Sequence, residues 1–189
     1  MPTKTESTKK KKAIRHKKRQ ASQGKAKEAY KNRMLNKIKK YDDKWLSVVC
    51  ADTTDLDKIA KIAKTLRAIL CFTESGVGLA APQIGHGVNM FVIRPDPSKN
   101  VFKTFVNPVV FATGDKILSD EGCLSYPDTY TKVQRSSTVS VVYFDENLEK
   151  QESTYDELSA RIIQHEADHL KGICKVGDWY RNIEAFKNR

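Results

Sequence analysis

The segment Gln164-His165-Glu166-Ala167-Asp168-His169 constrains this chain more than any other. Two histidines four residues apart share one face of a helix, so both imidazoles can reach a single metal ion. Glu166, one residue beyond the first of them, can then reach a water at that ion. Thr154 followed by Glu157 has the form of a capping box and predicts that the helix begins near Thr154, and Gly172 predicts its end. The same spacing is compatible with two histidines on a charged helix face. A catalytic metal typically takes three protein donors and keeps one position open, so a third donor has to come from elsewhere. Cys123, within Asp120-Glu121-Gly122-Cys123-Leu124-Ser125, is the best candidate, because a thiolate is a strong ligand and Gly122 allows close backbone approach. Taken alone, Cys123 fits a buried apolar cysteine better than a ligand. His16 and His86 read as solvated or loop residues.

The net charge of +11 suggests a nucleic-acid binder until its distribution is considered. Residues 1–40 carry 16 Lys and Arg against Glu6 and Glu28, a local net of +14, whereas the rest holds 18 basic and 21 acidic side chains. The basicity therefore belongs to an N-terminal extension, and residues 41–189 form an ordinary, slightly acidic body. A chain of 189 residues with 39% hydrophobic side chains suits one core. Residues 1 to about 28 hold almost no large apolar side chains, which predicts disorder there. Cys50, Cys71, Cys123 and Cys174 are irregularly spaced, and no apolar leader or membrane span is visible. Both features point to a reducing, soluble compartment.

Along the body, Tyr30, Met34, Leu35, Ile38 and Tyr41 mark a weakly amphipathic helix from about Glu28. A stronger apolar stripe runs through Leu56, Ile59, Ile62, Ala63, Leu66, Ile69 and Leu70 and predicts a helix over 55–74. Strand-like runs follow at 90–93, 101–106, 109–111 and 139–144, separated by loops marked by Pro95, Pro97, Pro108, Gly114 and Asp145. The order helix, strands, helix predicts an α+β fold.

Between the first body helix and the strands lies Gly76-Val77-Gly78-Leu79-Ala80-Ala81-Pro82-Gln83. Its glycines allow a substrate backbone to lie close, and the Gln83 amide can donate to an oxyanion, although by itself the segment is only a tight turn before a strand. With Glu-Gly-Cys-Leu-Ser and Gln-His-Glu-Ala-Asp-His, in this order, it resembles the three signature motifs of the peptide deformylases, over roughly residues 42–180. The resemblance implies antiparallel sheets around a central helix bearing the His-Glu-x-x-His motif. It implies a metal-dependent hydrolase that removes the formyl group from the N-terminal formyl-methionine of nascent polypeptides. Cys123, His165 and His169 would bind one divalent metal, iron(II) as commonly in the family or zinc, nickel or cobalt in its place. Glu166 would act as general base and acid, and Gln83 with the Leu124 backbone N–H would hold the oxyanion. The peptide would lie extended beside Gly76, Val77 and Gly78, with the methionine side chain in a pocket of Val77, Leu158 and Ile162, three residues that core packing explains as well. Glu121 and Arg135 match a pair that supports the Cys123 loop.

The chain differs from the common bacterial pattern at Tyr130, where many members carry an arginine that holds the substrate backbone, and at Arg161, usually apolar. Only 20 residues follow His169, where bacterial forms often continue into a longer ribosome-docking helix. The basic extension is the expected substitute, as a ribosome or RNA contact; a solubilising tail or targeting segment is the other reading. The resemblance places the protein in a bacterial or viral-host cytoplasm or an organellar matrix. An RNA- or ribosome-binding protein on an inactive hydrolase scaffold and a zinc endopeptidase are the competing functions. The joint presence of Gln83, Cys123, His165, Glu166 and His169 weighs against the first, and the Cys123 ligand against the second.

Overall fold

Lysine, glutamate, glutamine and alanine are good helix formers whether or not they can bury anything. In the structure, a computed structural model that describes the backbone of residues 4–180 and the side chains of residues 19–180, the basic segment accordingly forms one helix, α1 (Lys4–Leu35). The lack of apolar side chains, which predicted disorder up to about residue 28, removes the means to build a core but not the means to form a helix. The chain divides into two compact units, Met1–Asn36 and Lys37–Arg189. Residues 181–189 of the expected catalytic domain lie outside the described residues.

In the second unit, the Asp55 carboxylate accepts the Lys58 N–H at 2.9 Å and starts α2 (Leu56–Phe72), whose Ile59, Leu66, Ile69 and Leu70 are fully buried. Five antiparallel strands follow in chain order, each paired with the next: β1 (Gly78–Ala80), β2 (Met90–Ile93), β3 (Lys103–Cys123), β4 (Tyr126–Phe144) and β5 (Lys150–Asp156). They form one sheet rather than the several expected. The expected breaks at Pro108 and Gly114 are interior to β3, where the register against β4 shifts between Val106 and Val109 and between Thr113 and Lys116. A bulge accommodates a proline that cannot donate to the ladder and a glycine at φ 71°, so the strand bends instead of ending.

The last helix, α3 (Glu157–Leu170), begins two residues later than the capping box predicts, with Asp156 rather than Thr154 at the N-cap. Thr154 is in β5 opposite Ser140, with the two hydroxyl oxygens 3.3 Å apart. The backbone of Lys150 to Asp156 pairs with that of β4, and Asp156, now the residue before the helix, accepts from Thr138 Oγ1 at 2.7 Å. One face of α3, with Ala160, Ile163 and Leu170, packs on Phe91, Phe105 and Val139 of the sheet. Phe91 and Phe105 stack at 4.7 Å between centroids. After α3 the chain turns at Gly172 (φ 70°), and residues 175–180 are helical. No helix among the described residues is long and apolar enough to cross a membrane.

Candidate metal centre and active site

The face of α3 opposite the core carries the chemistry. Spacing of four residues stacks the rings of His165 and His169, 5.0 Å between centroids and edge to face. The end of β3 meets this face with two inward residues, Glu121 and Cys123, and Cys123 Sγ lies 3.3 Å from His169 Nε2. Metal–sulfur and metal–nitrogen bonds of about 2.3 and 2.1 Å at a tetrahedral angle would set such atoms about 3.6 Å apart, so the pair has the separation of two ligands of one ion. The sequence did not single out Cys174 as a ligand. Its sulfur joins this pair, and the donor atoms of Cys123, His169 and Cys174 all lie within 4.8 Å of one another. His165 stands beside the triple rather than within that limit.

A chain of charge orients His165. Its Nδ1 lies 2.9 Å from Glu121 Oε2, and Glu121 receives both Nε (2.8 Å) and Nη2 (2.9 Å) of Arg135, a buried fork-to-fork pair. Arg135 Nη1 in turn donates to Asp168 Oδ2 at 2.5 Å. Asp168, an unassigned position between the two histidines, thus anchors the far end of this relay. With Nδ1–H held by a carboxylate, the lone pair of His165 is on Nε2, the tautomer a metal requires. Burial opposes the charge on Glu121, but the bonds from Arg135 and His165 outweigh it and hold this carboxyl down at about 2.

Glu166 differs. It is 4% exposed, its Oε2 has no hydrogen-bond partner among the described residues, and burial pushes its pKa up to about 7. Gly78 passes so close that a Cβ there would overlap Glu166 and Ile162. Burial lowers His169 well below the usual imidazole value, with His165 adding to the effect, which keeps it neutral and able to ligate. The Cys123–Cys174 contact, reinforced by burial, raises the Cys123 thiol, while the same contact lowers Cys174 to about 7. A thiol pair, two imidazoles and a buried carboxylate with a spare oxygen fit a borderline-soft divalent cation.

A cavity of about 390 Å³ opens onto this centre. Gly76, Val77, Gly78, Leu158 and Ile162 line it together with Gln83, Cys123, Leu124, His165 and Glu166, so all but one of the expected site residues share one space. The exception is His169, which is 1% exposed and lies behind the wall. Gln83 is oriented by its neighbours: Oε1 accepts the Ala80 N–H at 2.9 Å, which turns Nε2 toward Ser125 Oγ (3.2 Å) and Cys123 Sγ (3.5 Å). Lys40 Nζ holds the Leu124 carbonyl at 2.7 Å. Tyr130 and Arg161 stand at the rim of the same cavity.

Residues 35–181 match the family described as Polypeptide deformylase. The chain belongs to that family. A peptide deformylase of Christiangramia forsetii is 44% identical over 113 residues, which are 52% of this chain and 58% of that protein. One of Pseudothermotoga lettingae is 36% identical over 149 residues, 76% of this chain and 82% of that protein. Among solved structures, the class I type b peptide deformylase of Acinetobacter baumannii with bound Met-Ala-Ser superposes with a TM-score of 0.67 at 30% identity, covering 74% of this chain and 94% of that one. The antiparallel sheet with helices is thus the arrangement of the deformylase family.

Proposed function

We propose that this chain removes the N-formyl group from the N-terminal formyl-methionine of nascent polypeptides, with residues 41–189 as the catalytic domain. The observation that carries the reading is Glu166: a buried carboxylate with an oxygen unpartnered among the described residues, in a cavity wall that His165 and Cys123 share. Cys123, His165 and His169 would hold one divalent cation, iron(II) by family or zinc, nickel or cobalt, which supplies Lewis acidity at the formyl carbonyl and at the attacking water. Glu166 takes the proton of that water and returns it to the departing amine, so that water and the formamide become formate and a free N-terminus. Gln83 Nε2 and the Leu124 backbone N–H stabilise the oxyanion that develops in between. Glu121, held by Arg135 and Asp168, keeps His165 in the ligating tautomer.

The position of β1 at the sheet edge supports binding of the peptide as an added strand along Gly76, Val77 and Gly78, which uses backbone groups and leaves most side chains unread. Val77, Leu158 and Ile162 then form the apolar pocket for methionine, and the product-like Met-Ala-Ser in the Acinetobacter structure agrees with that class of substrate. Four free cysteines agree with a reducing cytoplasm or organellar matrix. The charge of residues 1–40 supports contact with ribosomal RNA, and α1 displays Lys25 and Lys27 to solvent. Nothing favours an inactive scaffold, since the chemical side chains converge. Formate release from a formyl-Met peptide, with the unformylated peptide as control, tests the reading.

A further inference from the structure

Three consecutive residues near the start of the second unit each bond to a loop of the active site. Lys39 N–H donates to the Gln83 carbonyl at 2.7 Å, Lys40 Nζ to the Leu124 carbonyl at 2.7 Å, and Tyr41 N–H to the Ser125 carbonyl at 3.1 Å. Gln83 follows β1, whereas Leu124 and Ser125 make the turn between β3 and β4, so residues adjacent in the chain bridge two segments that are far apart in it. The bridging segment is itself braced. Asp43 N–H closes a turn on the Lys40 carbonyl (2.8 Å), the Lys39 ammonium pairs with Asp43 (3.3 Å), and Tyr126 Oη donates to the Tyr41 carbonyl (3.4 Å). What these bonds fix is orientation. Gln83 has its backbone carbonyl tied to Lys39 and its side-chain oxygen tied to Ala80 N–H, which leaves Nε2 little freedom of direction. The Leu124 N–H precedes two carbonyls, its own and that of Ser125, that Lys40 and Tyr41 hold. Peptide units are planar, so holding two consecutive carbonyls limits how far the N–H before them can swing.

We propose, resting on the deformylase reading, that residues 39–41 are a strap that sets the spacing and direction of the two oxyanion donors, Gln83 Nε2 and the Leu124 N–H, with Lys40 as a positioning residue. Such donors act on a developing oxyanion only when they already point at it, because turning them during the reaction would consume the stabilisation they give. An ammonium bond to a carbonyl is charge-assisted and stronger than a neutral one. The Lys40 side chain also lines the cavity, so its charge borders the space in which the oxyanion forms. The bonds from Lys39 and Tyr41 come from the backbone and survive substitution, which makes the Lys40 side chain the removable part of the strap.

Steady-state hydrolysis of a formyl-Met peptide by the full chain is compared for wild type, Lys40→Met and Lys40→Arg, with turnover expressed per bound metal and circular dichroism establishing that each is folded. Methionine keeps the apolar stem and removes the donor, whereas arginine keeps a charged donor. The expected result for Lys40→Met is kcat lowered by roughly 10- to 10²-fold with KM within about twofold of wild type, because the oxyanion exists in the transition state and not in the bound substrate. Lys40→Arg is expected to lose less. If Lys40→Met does not fold, Lys40→Gln replaces it and is judged by the same outcomes. An unchanged kcat, a loss carried wholly by KM, or a loss that arginine does not lessen would overturn the strap and leave the deformylase reading intact. No formate from metal-loaded wild type would overturn both.

Discussion

Arg135 shows how much of this site depends on one side chain. It is buried between Glu121 and Asp168 and satisfies two carboxylates, one of which orients a metal-binding imidazole. Arg135→Ala leaves that charge buried without its counterion, and the expected loss is about 3–5 kcal/mol of stability in a denaturant titration, with a loss under about 1 kcal/mol contradicting the account. Lysine does not restore it, since an ammonium cannot bond both oxygens of Glu121 in parallel. His165, Glu166 and His169 were legible in the sequence because their relation is local, one helical turn. Cys123 and the Glu121–Arg135 pair became legible through the family's motifs. Asp168 and Cys174 were not, because their presence at the site depends on where β4 and the turn after α3 place Arg135 and a sulfur in space, and no spacing along the chain encodes that.

At the level of elements, β1 is both the sheet edge and the wall against which Glu166 rests. Gly78→Ala adds a methyl group where the Glu166 carboxylate stands. The expected outcome is turnover reduced by roughly 10²-fold through a displaced carboxylate, with metal content unchanged. Steady-state rates and metal analysis on one preparation check it, and an unaltered rate would show that Glu166 does not depend on this contact. Helix α2 was legible because its stripe has the helical period and, from Ile59 to Leu70, is buried as that period predicts, with only Leu56 at the helix start exposed. The long strands β3 and β4 were legible only in their apolar pieces. From residue 111 to 118 every residue of β3 is exposed, so no buried face imposes the alternation that marks a strand. The start of α3 was misplaced for a related reason: β4 offered Lys150–Asp156 a ladder, a long-range pairing that outcompetes a local cap.

For the whole molecule, charge and chemistry lie on different parts of the chain, +14 on residues 1–40 and the cavity within the second unit. A chain beginning at Lys37, where the second unit starts, is expected to lose co-sedimentation with ribosomes that the full chain shows at low salt and loses at high salt. Both chains should hydrolyse a free formyl-Met peptide at similar rates; equal sedimentation of the two would remove the RNA role. The helix over the basic segment was not expected from the sequence, where the lack of apolar side chains up to about residue 28 was read as disorder. Chelation of the metal is expected to abolish turnover and re-addition of a divalent ion to restore it. The most direct test of the central claim is formate release from a formyl-Met peptide by wild type and Glu166→Gln, with bound metal quantified in both. The account predicts that the variant keeps its metal and loses on the order of 10² to 10⁴ fold in turnover. Wild-type turnover in the metal-bearing variant, or no formate from the metal-loaded wild type, would contradict it.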